Sequence, residues 1–143
     1  MVSKGIGFAI ALLVITISFT PAFALTELER SSVNNPRLEN AFGLQISDNV
    51  NVNHQMQISA DITNNQDKSQ TFVYLVQIKD KTGFVVSLGW ISGQLTPDQK
   101  LSPSLSWSPK SEGEFTAEIY VWEGFPINHK ALAEYTTLKI NVS

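Results

Sequence analysis

Cysteine is absent from all 143 residues, and that single absence excludes disulfides, thiolate nucleophiles, zinc knuckles, blue copper and a lipid-modified N-terminal cysteine together. Small exported domains often rely on disulfides, so a chain of this composition has to be stabilised by its core alone. Basic segments are missing as well. Lys68, Lys79, Lys81, Lys100, Lys110, Lys130 and Lys139 stand singly among acidic residues, whereas a protein that grips phosphate backbones carries a clustered basic stripe. Nucleic acid is therefore not an expected partner. Helical periodicity, internal repeats and low-complexity tracts are also lacking after residue 24, and a single domain is expected.

The first 24 residues have the make-up of a secretory leader. Lys4 gives a positive start, Ile6 to Phe19 is an apolar run, and Ala22-Phe23-Ala24 satisfies the small-residue cleavage rule. This predicts an N-terminal signal helix cut between Ala24 and Leu25, and a protein that is secreted or held at the extracellular surface. The competing reading is an uncleaved anchor, because residues 5–25 approach the roughly 20 residues that a spanning helix needs. Thr16, Ser18 and Thr20 dilute the end of the run, Pro21 interrupts it, and no basic cluster follows to stop transfer. Loss of Lys4 with the leader takes ten basic residues to nine against thirteen acidic ones, a net charge of −4 over 119 residues. That length buries one sizeable core. An intact mass of the native protein that excludes residues 1–24 would establish the cleavage.

Beyond the leader, residues 25–47 are polar and weakly patterned. Ser31, Ser32, Asn34, Asn35 and Pro36 suggest a linker, and residues 37–46 an added edge strand. From residue 48 to 143 the pattern has a period of two, as in half-buried strands. Met56, Ile58, Ala60 and Ile62 alternate with Gln55, Gln57, Ser59 and Asp61. Phe72 to Ile78 is a more apolar strand, turned by Lys81-Thr82-Gly83 into a third over Phe84 to Ile91. Thr96-Pro97-Asp98 is a turn, and Leu101, Pro103, Leu105 and Trp107 then alternate with serines in a run that its proline confines to a sheet edge. Phe115, Ala117, Ile119 and Val121 mark the inner face of the next strand, and Leu138, Ile140 and Val142 that of the last. The expected fold is all-β, an Ig-like antiparallel β-sandwich of about seven strands.

The segments QISADITNNQ, FVYLVQIKD with TGFVV, LTPDQKLSPSLSWSP and EGEFTAEIYVW follow one another in an order that resembles the Ig-like sandwiches of the fibronectin type III and CARDB kind, and that looks like small secreted Ig-like domains of archaea. The resemblance spans roughly residues 50–143. It implies a buried Trp107 before a proline turn and a strand that ends on Asn64. Phe115 departs from it, standing where many such domains place a tyrosine whose hydroxyl ties the corner to the backbone. The resemblance implies a fold and leaves function open, since sandwiches of this kind serve many purposes.

Reactive chemistry has little to stand on. His54 and His129 could each serve a serine triad, but no nucleophile elbow is present and both lie in polar loop positions. Glu112, Glu114, Glu118 and Glu123 are numerous carboxylates, yet Glu114 and Glu118 share an outward face with Thr116 and are expected to be solvated. Residues 48–53 offer oxygen ligands at alternate positions with one carboxylate and no glycine turn, which fits a polar strand entry better than a calcium loop. Copper would require His54, Met56 and His129 to meet. Asn141-Val142-Ser143 matches a glycosylation sequon but falls inside a strand, so low occupancy is expected. No cofactor, no metal and no catalytic residue are expected.

The aromatic residues carry the functional reading. If Tyr74, Val76 and Ile78 face the core, then Val73 and Leu75 face out, as do Tyr120 and Trp122 beside Ile119 and Val121. The Ig-like resemblance implies that these two strands are neighbours, which would merge the four into one binding patch, unless residues 25–46 fold back to cover it. The expected function is a noncatalytic extracellular binding or structural module of adhesion type, not an enzyme, with an extracellular protein, a cell-surface polymer or a second copy as partner and with membrane contact only through an uncleaved leader. The alternative is a secreted inhibitor of a hydrolase acting through loops such as Asn64 to Gln70 and Gly124 to Lys130.

Overall fold

Alternating strands with one apolar face have to bury that face against another sheet, and a computed structural model, describing residues 24–125 and 129–143, shows how they do so. The expected leader helix lies outside the described residues. After a short 3-10 turn at Glu27–Glu29 come ten strand segments: β1 (Ser31–Glu39), β2 (Gln45–Ile46), β3 (Asn49–Val50), β4 (Met56–Asn64), β5 (Gln70–Asp80), β6 (Val85–Leu95), β7 (Lys100–Leu101), β8 (Ser104–Trp107), β9 (Gly113–Trp122) and β10 (Thr136–Val142). One sheet has the order β2-β1-β4-β7 with β8 also on β4, and the other the order β3-β10-β9-β5-β6. All pairs are antiparallel except the short β3–β10 contact. With β7 and β8 counted as one broken edge strand and two-residue β2 and β3 set aside, seven strands carry the sandwich, as the alternation predicts.

The core lies between the sheets. Met56, Ile58, Ala60 and Ile62 of β4 meet Tyr74, Val76 and Ile78 of β5, and Ala117, Ile119 and Val121 of β9, all buried. At one end Trp107 packs edge-on against Phe115 with ring centroids 5.3 Å apart. Phe115 has no hydroxyl to tie a corner, and the buried Tyr74 ties the two sheets instead: its Oη donates to the Ile58 carbonyl at 3.2 Å. Pro103 separates β7 from β8, consistent with the edge position its ring dictates.

The region from 31 to 39 is where the sequence pattern misleads. It is a full strand, paired with β4 from Ser31↔Asn64 to Glu39↔Gln57, and begins six residues before the edge strand expected over 37–46. The reason is a bulge between Asn34 and Arg37. One extra residue flips the parity of the strand, so Val33 opposite Ile62 and Leu38 opposite Ile58 both face inward although five positions apart. No search for strict alternation could find them. Asn35 at the bulge has a φ of 52°, a left-handed conformation that asparagine tolerates better than most residues. The stretch read as a linker is thus an integral part of the sandwich.

Candidate functional site

The two outer faces of the sandwich differ in chemistry. On the outside of the β1–β4 sheet, Arg37 donates to Glu39 at 2.6 Å and to Asp61 at 2.8 Å. Ser59 donates to Glu39, while Asn35 and Ser102 donate to Asp61. Hydrogen bonds from Ser102, Asn35 and Arg37 hold the Asp61 carboxyl below its usual value. This face is a closed polar lattice.

The outside of the opposite sheet is aromatic. Antiparallel register places Val73 opposite Trp122 and Leu75 opposite Tyr120, so the four residues predicted to merge do lie side by side. The next strand sets Trp90 opposite Leu75. Tyr120 stacks on Tyr135 at 5.1 Å and meets Trp122 edge-on at 5.7 Å, while Phe125 meets Trp90 edge-on at 5.0 Å. The patch is therefore wider than the alternation implied: Trp90, Phe125 and Tyr135 belong to it. Trp90 could have been found from its alternation with Leu88 and Ser92, whereas Phe125 and Tyr135 flank the β9–β10 connection, where no periodicity applies. Val73 is only 4% exposed and acts as the floor of the patch. Leu75, Tyr120 and Trp122 are half-buried, and Trp90 and Tyr135 are exposed. The covering alternative is not what happens to residues 31–39, which pair into the other sheet.

One end of the aromatic strip is polar. Glu118, one step along β9 on the same face, accepts hydrogen bonds from Tyr120 Oη at 2.7 Å, Lys79 Nζ at 2.9 Å and Gln77 Nε2 at 3.0 Å. It is not the solvated carboxylate expected; Glu114, exposed beside Lys81, is. Burial raises the Glu118 pKa, but bonds from Tyr120, Lys79 and Gln77 outweigh this and hold it below the usual 4.5. Burial and the same hydrogen bond push the Tyr120 phenol up to about 12. A carboxyl depressed in the folded state contributes stability that is present above its unfolded pKa and lost as pH falls through the folded one. Thermal stability is thus expected to decline as pH drops below 4.5, and Glu118→Gln should make that decline shallower. Melting curves from pH 7 to pH 3 test this; parallel curves for both proteins would count against the network.

The remaining candidates do not assemble. Met56 is buried in the core while His54 and His129 are exposed, so the copper set is not brought together. Among the described residues no three histidine, aspartate or glutamate side chains gather where a metal ion could sit. Glu123 pairs with Arg30, whose hydrogen bond lowers its pKa. Asn141, the sequon residue, lies within β10 and donates to Asn49 at 3.1 Å. Of the Gly124 to Lys130 loop, residues 126–128 lie outside the described residues.

No protein-family profile and no curated protein matches the chain. Solved structures do. The C-terminal domain of Wzt matches with a TM-score of 0.69 at 12% identity, over 82% of this chain and 76% of that one. The CARDB domain of a Pyrococcus furiosus protein, solved in complex with di-metal ions, matches with a TM-score of 0.53 at 18% identity, over 82% and 97%. A cycloisomaltooligosaccharide glucanotransferase from Paenibacillus, complexed with cycloisomaltoheptaose, matches with a TM-score of 0.60 at 15% identity, but over only 14% of that enzyme. The fold is a CARDB-like, Ig-like β-sandwich. At these identities the likeness is one of fold alone.

Proposed function

We propose that this protein is a noncatalytic binding module that works outside the cell, presenting the aromatic outer face of the β10-β9-β5-β6 sheet to an extracellular protein or a cell-surface polymer. The observation that carries this reading is the asymmetry of the two outer faces. One is closed by its own ion pairs, whereas the other leaves Trp90, Trp122, Tyr120 and Tyr135 partly or largely open to solvent. Tryptophan and tyrosine are the residues that most often dominate binding energy, and contiguous apolar patches on small domains tend to mark interaction sites. The CARDB-like fold is compatible with the same view, and Lys4, the apolar run and Ala22-Phe23-Ala24 support export.

The test is a double substitution, Tyr120→Ser with Trp122→Ser. It should cost about 2–4 kcal/mol of stability, since two aromatic contacts and the Tyr120 hydrogen bond to Glu118 are lost, and should reduce capture of the extracellular proteins or surface polymer of the source organism by at least about tenfold. Unchanged capture by a folded double variant would refute the proposal. Loss of capture on substituting Asp67 and Lys68, exposed at the tip of the Asn64 to Gln70 loop, would instead favour inhibition of a hydrolase through loops.

A further inference from the structure

We infer that the free edge of β6 pairs antiparallel with the same edge of a second copy of this chain, joining two sheets into one across a twofold axis. The inference starts from how the four sheet edges are finished. Natural sheets protect their edges with short strands, prolines, bulges or charges, because an open row of backbone donors and acceptors is a template for another strand. Three edges here follow that rule. β2 and β3 have two residues each and leave open stretches of β1, which carries a bulge, Pro36 and Arg37, and of β10, which carries Lys139, while the β7–β8 edge is broken at Pro103 and carries Lys100.

The fourth edge does not. β6 runs eleven residues, from Val85 to Leu95, and its backbone ladder goes to β5 alone among the described residues. No charged residue occurs between Lys81 and Asp98, and no proline before Pro97. A bulge at Val86 bends the start of the strand, but from Ser87 to Leu95 the register with β5 is unbroken. Along the strand Val85, Val86, Leu88, Trp90 and Ile91 are exposed, as is Phe84 just before it at 74%. Lysines that would blunt such an edge are absent from it.

A second copy is the occupant that this chemistry fits. Antiparallel self-pairing about a twofold axis at Gly89 sets Leu88 opposite the partner's Trp90, and an uncharged strand opposes no like charges to itself. Edge-to-edge pairing covers the flanks of these side chains and not their whole exposed surface, so it buries less than the ~1,000 Å² of a standard specific interface and is expected to be weak. The pairing also aligns the two aromatic faces on one side of the joined sheet. It goes beyond the binding reading and does not rest on it: the two share Trp90, but Tyr120 and Trp122 lie on β9, two strands in from the edge.

Sedimentation equilibrium of the purified protein, with amide exchange at low and high concentration, tests the inference. A monomer–dimer equilibrium with a dissociation constant of roughly 1–100 µM is expected, with added protection of β6 amides in the dimer. Leu88→Lys and Ser92→Lys should each weaken it by about tenfold or more; Ser92→Lys does so without removing an apolar contact. Phe42→Lys, at an exposed apolar position between β1 and β2, should leave it unchanged. A protein that stays monomeric to about 0.5 mM, well above that range, would overturn the inference. So would a dimer indifferent to both lysine variants, or one that gives β6 amides no added protection.

Discussion

Replacing Trp107 by alanine is expected to cost about 3–5 kcal/mol of folding stability, the usual range for removing a buried tryptophan. The indole is 8% exposed, sits on β8 opposite Met56, and closes one end of the core against Phe115 at 5.3 Å. With no disulfide in the chain, nothing covalent restrains the sheets when that contact is lost. For a domain of this size the change corresponds to a fall in melting temperature of roughly 10–20 °C. Chemical denaturation of both proteins measures it. A loss below about 1 kcal/mol, typical of surface substitutions, would mean that β8 does not hold its inner face as described.

Asn64→Ala is expected to cost about 2–4 kcal/mol, through unsatisfied backbone groups. Asn64 is buried at the end of β4. Its Nδ2 donates to the carbonyls of Lys68, Leu95 and Thr96 at 2.8, 3.3 and 3.1 Å. Its Oδ1 accepts from the Gln66 backbone N–H at 3.1 Å. Three converging carbonyls fix which end of the amide faces them, since only the NH2 group can donate. The side chain thereby ties the β4–β5 loop to the end of β6. Asn64→Asp separates this account from simple volume loss: the carboxylate can still accept from Gln66 but cannot donate, and it faces carbonyl oxygens. Asp should be at least as damaging as Ala at neutral pH. A nearly neutral Asn64→Asp would show that the donated bonds matter little.

Residue alternation decided the facing of β4, β5 and β9, and so the core from Met56 to Val121, because a strand sends successive side chains to opposite sides whatever it later packs against. The same covalent rule put Val73, Leu75, Tyr120 and Trp122 on outward faces. Gly83 and Pro97 announced their turns by local backbone preference. Where the rule was broken locally the sequence was silent: the bulge at Asn34 to Arg37 hid β1 by putting Val33 and Leu38, which differ in parity, on the same face.

What the sequence alone settled, then, is the class of fold and the inner faces of β4, β5, β8, β9 and β10, both consequences of short-range geometry. Beyond the β5–β9 adjacency that the Ig-like resemblance implied, tertiary structure decided which strands are neighbours, and the wider patch, the Glu118 network and the free edge follow from that. Trp90 joins Leu75 and Tyr120 only because β6, β5 and β9 lie in that order. Val73 becomes a floor because Trp122 lies beside it. Glu118 loses its solvent to Tyr120, Lys79 and Gln77, two of them from another strand. β6 is an edge because nothing else among the described residues pairs with its far side. These are contacts between residues tens of positions apart, set by which pairing buries the most apolar surface with every backbone group satisfied, and no local pattern encodes that choice.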